Sequence, residues 1–293
     1  MSNKKHKTSV YEIAVFIFLI IYTASMGFII YWGLTTSLKT KMELRNNLIG
    51  IPTSWQFSNY ITAFKELYVP IATTQGIAKV YFPKLLVNSL IISVSSSLIG
   101  PVVPMIAAYA CAYFKRFKFN AVMLNIVLGT MIIPIYGNLA SSLALNKALG
   151  LYDNIWGVWI RRMGFTGIGF FVFRAVFLAI PSSYSEAAKL DGAGNFTIML
   201  KIMIPQALGT YFTYVLLGFV GAWGDYTTPL VWIPSMPTLA YGLYRFSSST
   251  NNSINNIPLR VTGCMITMIP VLVIYAFASN KVNMNLSIGG IKE

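Results

Sequence analysis

The stretch IAVFIFLIIYTASMGFIIYW, from Ile13 to Trp32, is 20 residues long and contains no charged side chain. A helix of about 20 residues rises roughly 30 Å, which matches the hydrocarbon thickness of a lipid bilayer. The stretch is longer than the apolar core of a signal peptide, about 7–15 residues, and no clear small-x-small cleavage site follows it. It therefore predicts a retained transmembrane helix.

Five further apolar stretches resemble the first in length and composition. They are Leu85 to Tyr113, Ala121 to Leu145, Met163 to Ile180, Ala207 to Gly224 and Val261 to Asn280. Over the 293 residues, 56% are hydrophobic and 10% are charged, against roughly 45–50% and about 25% in soluble domains. The predicted fold class is an all-α integral membrane protein with six transmembrane helices, forming a single transmembrane domain over residues 1–293.

The distribution of Lys and Arg predicts the orientation. An even number of crossings places both termini on one side of the membrane. With cytoplasmic termini, segments 1–12, 114–120, 181–206 and 281–293 are inside and hold ten Lys and Arg in 58 residues. The outside segments 33–84, 146–162 and 225–260 hold eleven in 105 residues. The greater density inside follows the positive-inside rule, so we expect cytoplasmic termini.

Several functional classes are excluded or disfavoured by residue content. The net charge of +14 is spread between the apolar stretches and not gathered in one patch with aromatic residues, which argues against nucleic-acid binding. The single histidine, His6, lies in the basic start Lys4-Lys5-His6-Lys7, so neither a Ser-His-Asp triad nor a histidine metal site is expected. No Gly-x-x-x-x-Gly-Lys-Ser/Thr sequence is present to cradle a nucleotide. The chain is therefore predicted not to be an enzyme and to carry no cofactor.

The segment 181–206, between the fourth and fifth stretches, has the pattern of a helical elbow. Pro181 ends the fourth stretch, and Ser183 followed by Glu186 predicts a capping box for a short helix. Asp191-Gly192-Ala193-Gly194 predicts a turn, since glycine adopts the positive φ that commonly ends a helix. Taken alone, the pattern fits either a surface hairpin without a partner or a helix that enters a groove of another protein.

This segment resembles the EAA loop in the membrane subunits of bacterial ATP-binding-cassette (ABC) importers. The matching residues are Glu186, Ala187, Ala188, Asp191, Gly192 and Ala193, with Pro205 near the end. This fuller form is similar to the carbohydrate importers, and in particular to the smaller membrane subunit of maltose-type transporters. Gly224, where that family commonly has Asn, is a departure. The terminal Gly289, Gly290, Ile291 and Lys292 resemble the family's tail.

The resemblance implies a function and a set of partners. Segment 181–206 would be a cytoplasmic coupling loop seated in the ATPase, and the tail Gly289–Lys292 would also contact it. The implied partners are a second homologous membrane subunit, two ATPase subunits that bind ATP and Mg²⁺, an extracytoplasmic solute-binding protein, a sugar and the lipid membrane. The implied function is the permease subunit of a sugar importer that works by alternating access.

Alternatives remain open at this point. An importer subunit for a peptide or an amino acid would share most of these features. A self-sufficient channel or ion-coupled transporter would need intramembrane carboxylates or a filter sequence, and neither is evident. Candidate pathway residues are Asn88, Ser89, Asn125 and Thr213, although such side chains more often form hydrogen bonds between helices.

Overall fold

The computed structural model describes residues 9–74, 76–114, 118–133, 137–251 and 255–286. The elements of the first half are α1 Val10–Ser37, α2 Lys41–Asn46, α3 Ser58–Glu66, β1 Tyr68–Thr73, β2 Gly76–Tyr81, α4 Phe82–Ile99, α5 Val102–Tyr113, α6 Lys118–Ile132 and α7 Leu139–Ala148. Those of the second half are α8 Ile155–Arg162, α9 Ile168–Ala179, α10 Ser182–Leu190, α11 Asn195–Ile198, a π-helical turn Met199–Met203, α12 Ile204–Trp223, α13 Thr227–Val231, α14 Leu239–Ser247 and α15 Ile257–Leu286.

Four helical stretches within the described residues are long and apolar enough to cross a membrane. They are Val10–Ser37, Phe82–Tyr113, Asn195–Trp223 and Ile257–Ile274. A fifth candidate is the pair α9 and α10, if these two helices, bent by 65°, are one broken span. The prediction of a mostly helical protein with several apolar helices is confirmed.

The third and fourth apolar stretches form shorter helices than predicted. Over the third stretch, α6 has 15 residues and α7 starts beyond Gly137, whose φ is +77°. Over the fourth, α9 has 12 residues and follows Gly167, whose φ is +124°. Positive φ belongs to the region that glycine tolerates and a helix does not use. At 1.5 Å per residue, α6 and α9 rise only about 22 and 18 Å.

The expectation of an all-α chain is wrong at residues 68–81, which form an antiparallel hairpin. Its register pairs Tyr68 with Tyr81 and Thr73 with Gly76. Gly76 has φ of +118°, and the ammonium group of Lys79 lies 4.3 Å from the centroid of the Tyr68 ring. The sequence analysis missed the hairpin because its apolar and polar residues were taken as part of a long loop.

The chain divides into two compact units, of which one comprises Met1–Leu67 and Arg245–Met268. In this unit the end of α1 is tied to α3 and α15. The Ser37 carbonyl accepts hydrogen bonds from Asn59 Nδ2 at 2.9 Å and from Thr262 Oγ1 at 3.0 Å. Lys39 is fully buried, and its Nζ donates to the Asn47 carbonyl at 2.8 Å. These contacts order the segment that follows the first apolar helix.

The other unit comprises Tyr68–Tyr244 and Ile269–Glu293. Its core lies among α5, α9 and the start of α12, where Ala108, Phe170, Phe173 and Ala207 are fully buried. Ala188 of α10 belongs to the same cluster. The short helix α10 is therefore packed onto the apolar helices and is not an independent appendage.

Candidate functional site

The helix α10 begins where Pro181 bends the chain. The predicted capping box at Ser183 and Glu186 is wrong, because the helix starts at Ser182 with Pro181 as its N-cap and no side-chain cap. Proline fixes φ near −65° and fits at a helix start, so the helix begins without help from a Ser side chain. The Ser185 hydroxyl donates instead to the Ser182 carbonyl at 2.8 Å.

A Schellman motif ends α10. Gly192 adopts φ of +80°, and its N–H donates to the Lys189 carbonyl at 3.0 Å. The N–H of Ala193 donates to the Ala188 carbonyl at 2.9 Å. These two bonds satisfy carbonyls that a helix end otherwise leaves without partners. The chain then turns into α11 and continues to the end of α12, so residues 182–223 form a helix, a sharp turn and a long helix.

The two faces of α10 differ in exposure. Ser185 and Ala188 are buried against the core. Glu186 and Ala187 are exposed on the other face, and Leu190 at the end of the helix is 90% exposed. This exposed face therefore combines one carboxylate with two apolar side chains. We call residues 182–203 the elbow.

The elbow contacts an aromatic side chain of α5, and the aromatic side chains of α5 in turn contact α9. The Lys189 ammonium group lies 5.1 Å from the centroid of the Tyr113 ring. Tyr113 stacks on Tyr109 with centroids 5.3 Å apart, and Tyr109 meets Phe177 edge to face at 5.6 Å. These contacts link α10 to α5 and, through α5, to α9.

The other sequence-predicted residues lie apart from the elbow. Asn88 and Ser89 of α4 are buried: Asn88 Nδ2 donates to the Pro237 carbonyl at 2.9 Å, and Ser89 Oγ accepts from the Leu239 N–H at 2.7 Å. Thr213 of α12 donates to the Gly209 carbonyl at 3.0 Å. Asn125 is exposed on α6. The tail residues Gly289, Gly290, Ile291 and Lys292 lie outside the described residues.

An ion pair that the sequence analysis did not single out joins α8 to the start of α13. Arg162 Nη2 donates to Asp225 Oδ2 at 2.7 Å. Asp225 Oδ1 also accepts from the N–H groups of Thr227 at 2.9 Å and Thr228 at 3.0 Å. The carboxylate therefore caps α13 while it pairs with the guanidinium.

A second arginine lies beside this pair. The Arg161 guanidinium carbon lies 3.3 Å from the centroid of the Trp232 ring. Burial, and then the charge of Arg162, lower the pKa of Arg161, while Asp225 opposes the shift. These side chains line a cavity of about 260 Å³. A larger cavity of about 430 Å³ lies among α4, α5, α9 and α12, and Arg162 lines it too.

Comparison with known proteins identifies the family to which the chain belongs. Residues 100–283, which include the elbow, the smaller cavity and most of the residues that line the larger one, match the family profile of the binding-protein-dependent transport system inner membrane component. The chain belongs to this family. As a permease component of an ABC importer, it is a transport protein of the inner membrane, with an ATPase and a solute-binding protein as partners.

Relatives of this permease component extend over nearly its whole length. It is 29% identical to a probable starch degradation products transport system permease protein of Thermoanaerobacterium thermosulfurigenes, over 90% of each chain. It is 27% identical to an arabinooligosaccharides transport system permease protein of Bacillus subtilis, over 97% of each chain.

The fold also occurs in a solved structure. One chain from the crystal structure of a bacterial ABC transporter that imports the acidic polysaccharide alginate superposes with a TM-score of 0.71 and 22% identity. The match covers 94% of this chain and 99% of that one. At 22% identity, this similarity establishes that the two chains share a fold.

Proposed function

We propose that this chain is the permease subunit of an ABC-type sugar importer and forms half of the translocation pathway. The observation that carries the proposal is the family match over residues 100–283 together with relatives named for the transport of starch products and arabinooligosaccharides. The other half of the pathway would come from a second, homologous membrane subunit. An extracytoplasmic binding protein would deliver the sugar.

The elbow would couple this pathway to two ATPase subunits, which bind ATP and Mg²⁺. Glu186, Ala187 and Leu190 form an exposed surface suited to a groove in the ATPase. Asp191, Gly192 and Ala193 fix the angle at which the chain leaves that groove. Closure of the ATPase pair would push the elbow, and its packing on α5 and α9 would carry the motion into the apolar helices. The tail Gly289–Lys292 would add a second contact.

The topology we propose has six crossings in one permease domain, with the elbow and both termini in the cytoplasm. Four crossings are the long apolar helices, and α6 and α9 would supply the third and fourth. Each of these two is shorter than the hydrocarbon layer, so irregular backbone must continue the crossing. Such backbone is tolerated at membrane depth where protein or a water-filled cavity surrounds it, and Gly164, Thr166 and Gly167 line the larger cavity.

The test is ATP hydrolysis by the complete complex. The chain is co-expressed with its second membrane subunit, ATPase and binding protein, and the purified complex is reconstituted in nanodiscs. Binding protein loaded with an oligosaccharide, from a panel that includes maltotriose and arabinotriose, should stimulate ATP hydrolysis several-fold. Stimulation by peptides or amino acids but by no saccharide would contradict the proposal and support the importer of another solute.

A further inference from the structure

The smaller cavity, of about 260 Å³, lies where the ends of two predicted crossings meet. Arg161 and Arg162, at the end of α8, directly precede the fourth apolar stretch. Asp225, before the start of α13, directly follows the fifth. In the proposed topology both of these ends face the outside. The cavity is therefore at the level of the outer membrane–water interface, where lipid headgroups lie.

The carboxylate that lines this cavity has no capacity left for a second arginine. Asp225 Oδ2 accepts hydrogen bonds from the Arg162 guanidinium at 2.7 Å and from the Thr228 hydroxyl at 2.6 Å. Its Oδ1 accepts from the N–H groups of Thr227 at 2.9 Å and Thr228 at 3.0 Å. A carboxylate offers about four such acceptor positions, so Asp225 is saturated.

Arg161 has a free charge and free donors. Its guanidinium carbon lies 3.3 Å from the centroid of the buried Trp232 ring, so the ring covers one face of the guanidinium plane. The N–H groups point along the edge of that plane, and none of them donates to a residue that the structure describes. Two guanidinium groups and one carboxylate line the cavity, which leaves one positive charge without a counterion.

The geometry of this charge favours an anion with several oxygens. A guanidinium group presents its donors as a rigid fork that matches phosphate or carboxylate oxygens. Stacking on Trp232 holds the fork in one orientation, and Arg161 itself remains exposed, so an anion can reach it from outside the fold. A phosphodiester or a carboxylate would therefore complete the cavity.

The apolar face of α8 indicates which anion is bound. Trp156 and Ile160 are 60% and 52% exposed, and their spacing of four residues places them on one side of the helix. Trp159 anchors α8, because its Nε1 donates to Ser95 Oγ of α4 at 2.8 Å. A short helix with exposed Trp and Ile beside terminal arginines is typical of the lipid interface. A soluble anion would leave this apolar face uncovered, whereas a lipid brings acyl chains to it.

We propose that the smaller cavity binds the phosphodiester group of an anionic phospholipid in the outer leaflet. Arg161 donates to the phosphate oxygens, Trp232 holds its guanidinium plane, and the acyl chains lie along Trp156 and Ile160. A zwitterionic headgroup brings its own cation beside two guanidinium groups and is bound less tightly. The site joins the outer ends of the fourth and fifth crossings to the lipid, whichever solute the importer carries.

Native mass spectrometry of the complete, detergent-purified complex tests the site. Dioleoylphosphatidylglycerol or dioleoylphosphatidylcholine is titrated, and the lipids retained are counted. Arg161→Gln should lower the affinity for one phosphatidylglycerol about tenfold or more, as expected for lost hydrogen bonds to a charged group. Lys147→Gln is the matched control: it removes a cation of the same external segment, 4.8 Å from the Tyr152 ring centroid, that does not line the cavity. It should leave retention unchanged.

The conservative variant separates charge from fold. Arg161→Lys keeps the charge and should lower the affinity by no more than about threefold, since an ammonium group still attracts phosphate. A loss as large as in Arg161→Gln would contradict an electrostatic site. Co-purification of the partner subunits shows that each variant has assembled.

Three further results would overturn the proposal. The first is equal retention of phosphatidylglycerol in the wild type and Arg161→Gln. The second is displacement of the lipid by excess inorganic phosphate, which would assign the cavity to a soluble anion. The third is a loss of affinity for the solute-binding protein in Arg161→Gln with lipid retention unchanged, because the cavity would then accept an acidic side chain of that protein.

Discussion

The Arg162 guanidinium donates a hydrogen bond of 2.7 Å to the Asp225 carboxylate, across 63 residues of sequence. The same carboxylate accepts two backbone N–H groups of α13, and the Thr228 hydroxyl donates to it at 2.6 Å. One side chain thus fixes the end of α8 relative to the start of α13.

The first prediction separates the ion pair from the cap. The side chains of Arg162 and Asp225 are 39% and 22% exposed, so their mutual attraction should contribute only about 0.2–1 kcal/mol. Arg162→Ala should lower the free energy of unfolding by that amount, whereas Asp225→Ala should cost about 1 kcal/mol more because α13 loses its cap. Thermal unfolding of the reconstituted complex measures both. Equal losses in the two variants would contradict a capping role for Asp225.

The second prediction concerns the pH dependence of Glu43, which lies in α2 and binds Thr53 of the loop that follows this helix. Hydrogen bonds from the Thr53 backbone and hydroxyl to Glu43 Oε1 lower the pKa of the carboxyl. A lowered pKa in the folded state means that ionised Glu43 stabilises the loop above the ordinary glutamate pKa of about 4.3. This stabilisation is lost as the pH falls through the folded pKa, and Thr53 is released.

Amide hydrogen exchange tests this release. The protection factor of the Thr53 amide, which corrects for the intrinsic rate at each pH, should fall between pH 6 and pH 3 in the wild type. In Glu43→Gln it should be low at both pH values, since the amide side chain carries no charge. The same pH dependence in both proteins would assign the effect to another group.

The third prediction concerns the side of the membrane on which each segment lies. Ile77 of the hairpin is 81% exposed and external in the proposed topology, whereas Lys201 of the elbow is cytoplasmic. In a chain carrying Cys111→Ala and Cys264→Ala, Ile77→Cys should react with an impermeant maleimide on intact spheroplasts. Lys201→Cys should react only after permeabilisation. The reverse pattern would invert the topology.

Local patterns in the sequence were sufficient to predict several of the apolar helices and the turn of the elbow. The 20 residues after Glu12 contain no charge. They form part of one long helix, as expected for an apolar segment of the length that spans a lipid bilayer. Gly192 occupies the positive-φ position that a helix stop favours. The capping box was assigned to the wrong helix: it occurs at Ser9 and Glu12 of α1.

Contacts between distant segments could not be predicted in this way. Asn88 and Ser89 were candidate pathway residues because they are polar and lie in an apolar stretch. Their partners Pro237 and Leu239 lie about 150 residues away, in a segment with no pattern that points back to α4. The larger cavity likewise combines Ser96, Arg162 and Tyr214 from separate helices. No spacing rule within one segment relates such residues.

The fourth prediction tests whether Asn88 holds the structure or contacts the solute. Asn88 is fully buried, and its side chain donates to the Pro237 carbonyl. Asn88→Ala should cost about 1–3 kcal/mol, because it leaves that buried carbonyl without a partner. Asn125→Ala on the exposed face of α6 should change stability by less than about 0.5 kcal/mol. A changed half-saturating sugar concentration with unchanged thermal stability in Asn88→Ala would indicate solute contact.

The fifth prediction uses two glycines of the same turn. Gly192 has φ of +80°, whereas Gly194 has φ of −69°, and a Cβ at either position would meet no atom within 4 Å. A Cβ is therefore accommodated at both positions within this chain, and the two positions differ in backbone conformation. Gly192→Val should lose the left-handed turn at a cost of about 1–2 kcal/mol and misdirect the chain after α10. Gly194→Val should keep the turn.

The consequence for coupling is measured in the reconstituted complex. Gly192→Val should insert and associate with the second membrane subunit, yet lose co-purification of the ATPase or its stimulation by sugar-loaded binding protein. Glu186→Lys should do the same, since reversing a charge at a partly buried interface can cost about 2–5 kcal/mol. Because Gly194→Val shares the added volume but not the strained φ, it should retain stimulation. Full stimulation in Gly192→Val and Glu186→Lys would refute a coupling role for the elbow, and equal loss in Gly194→Val would assign the defect to bulk at the surface and not to the turn.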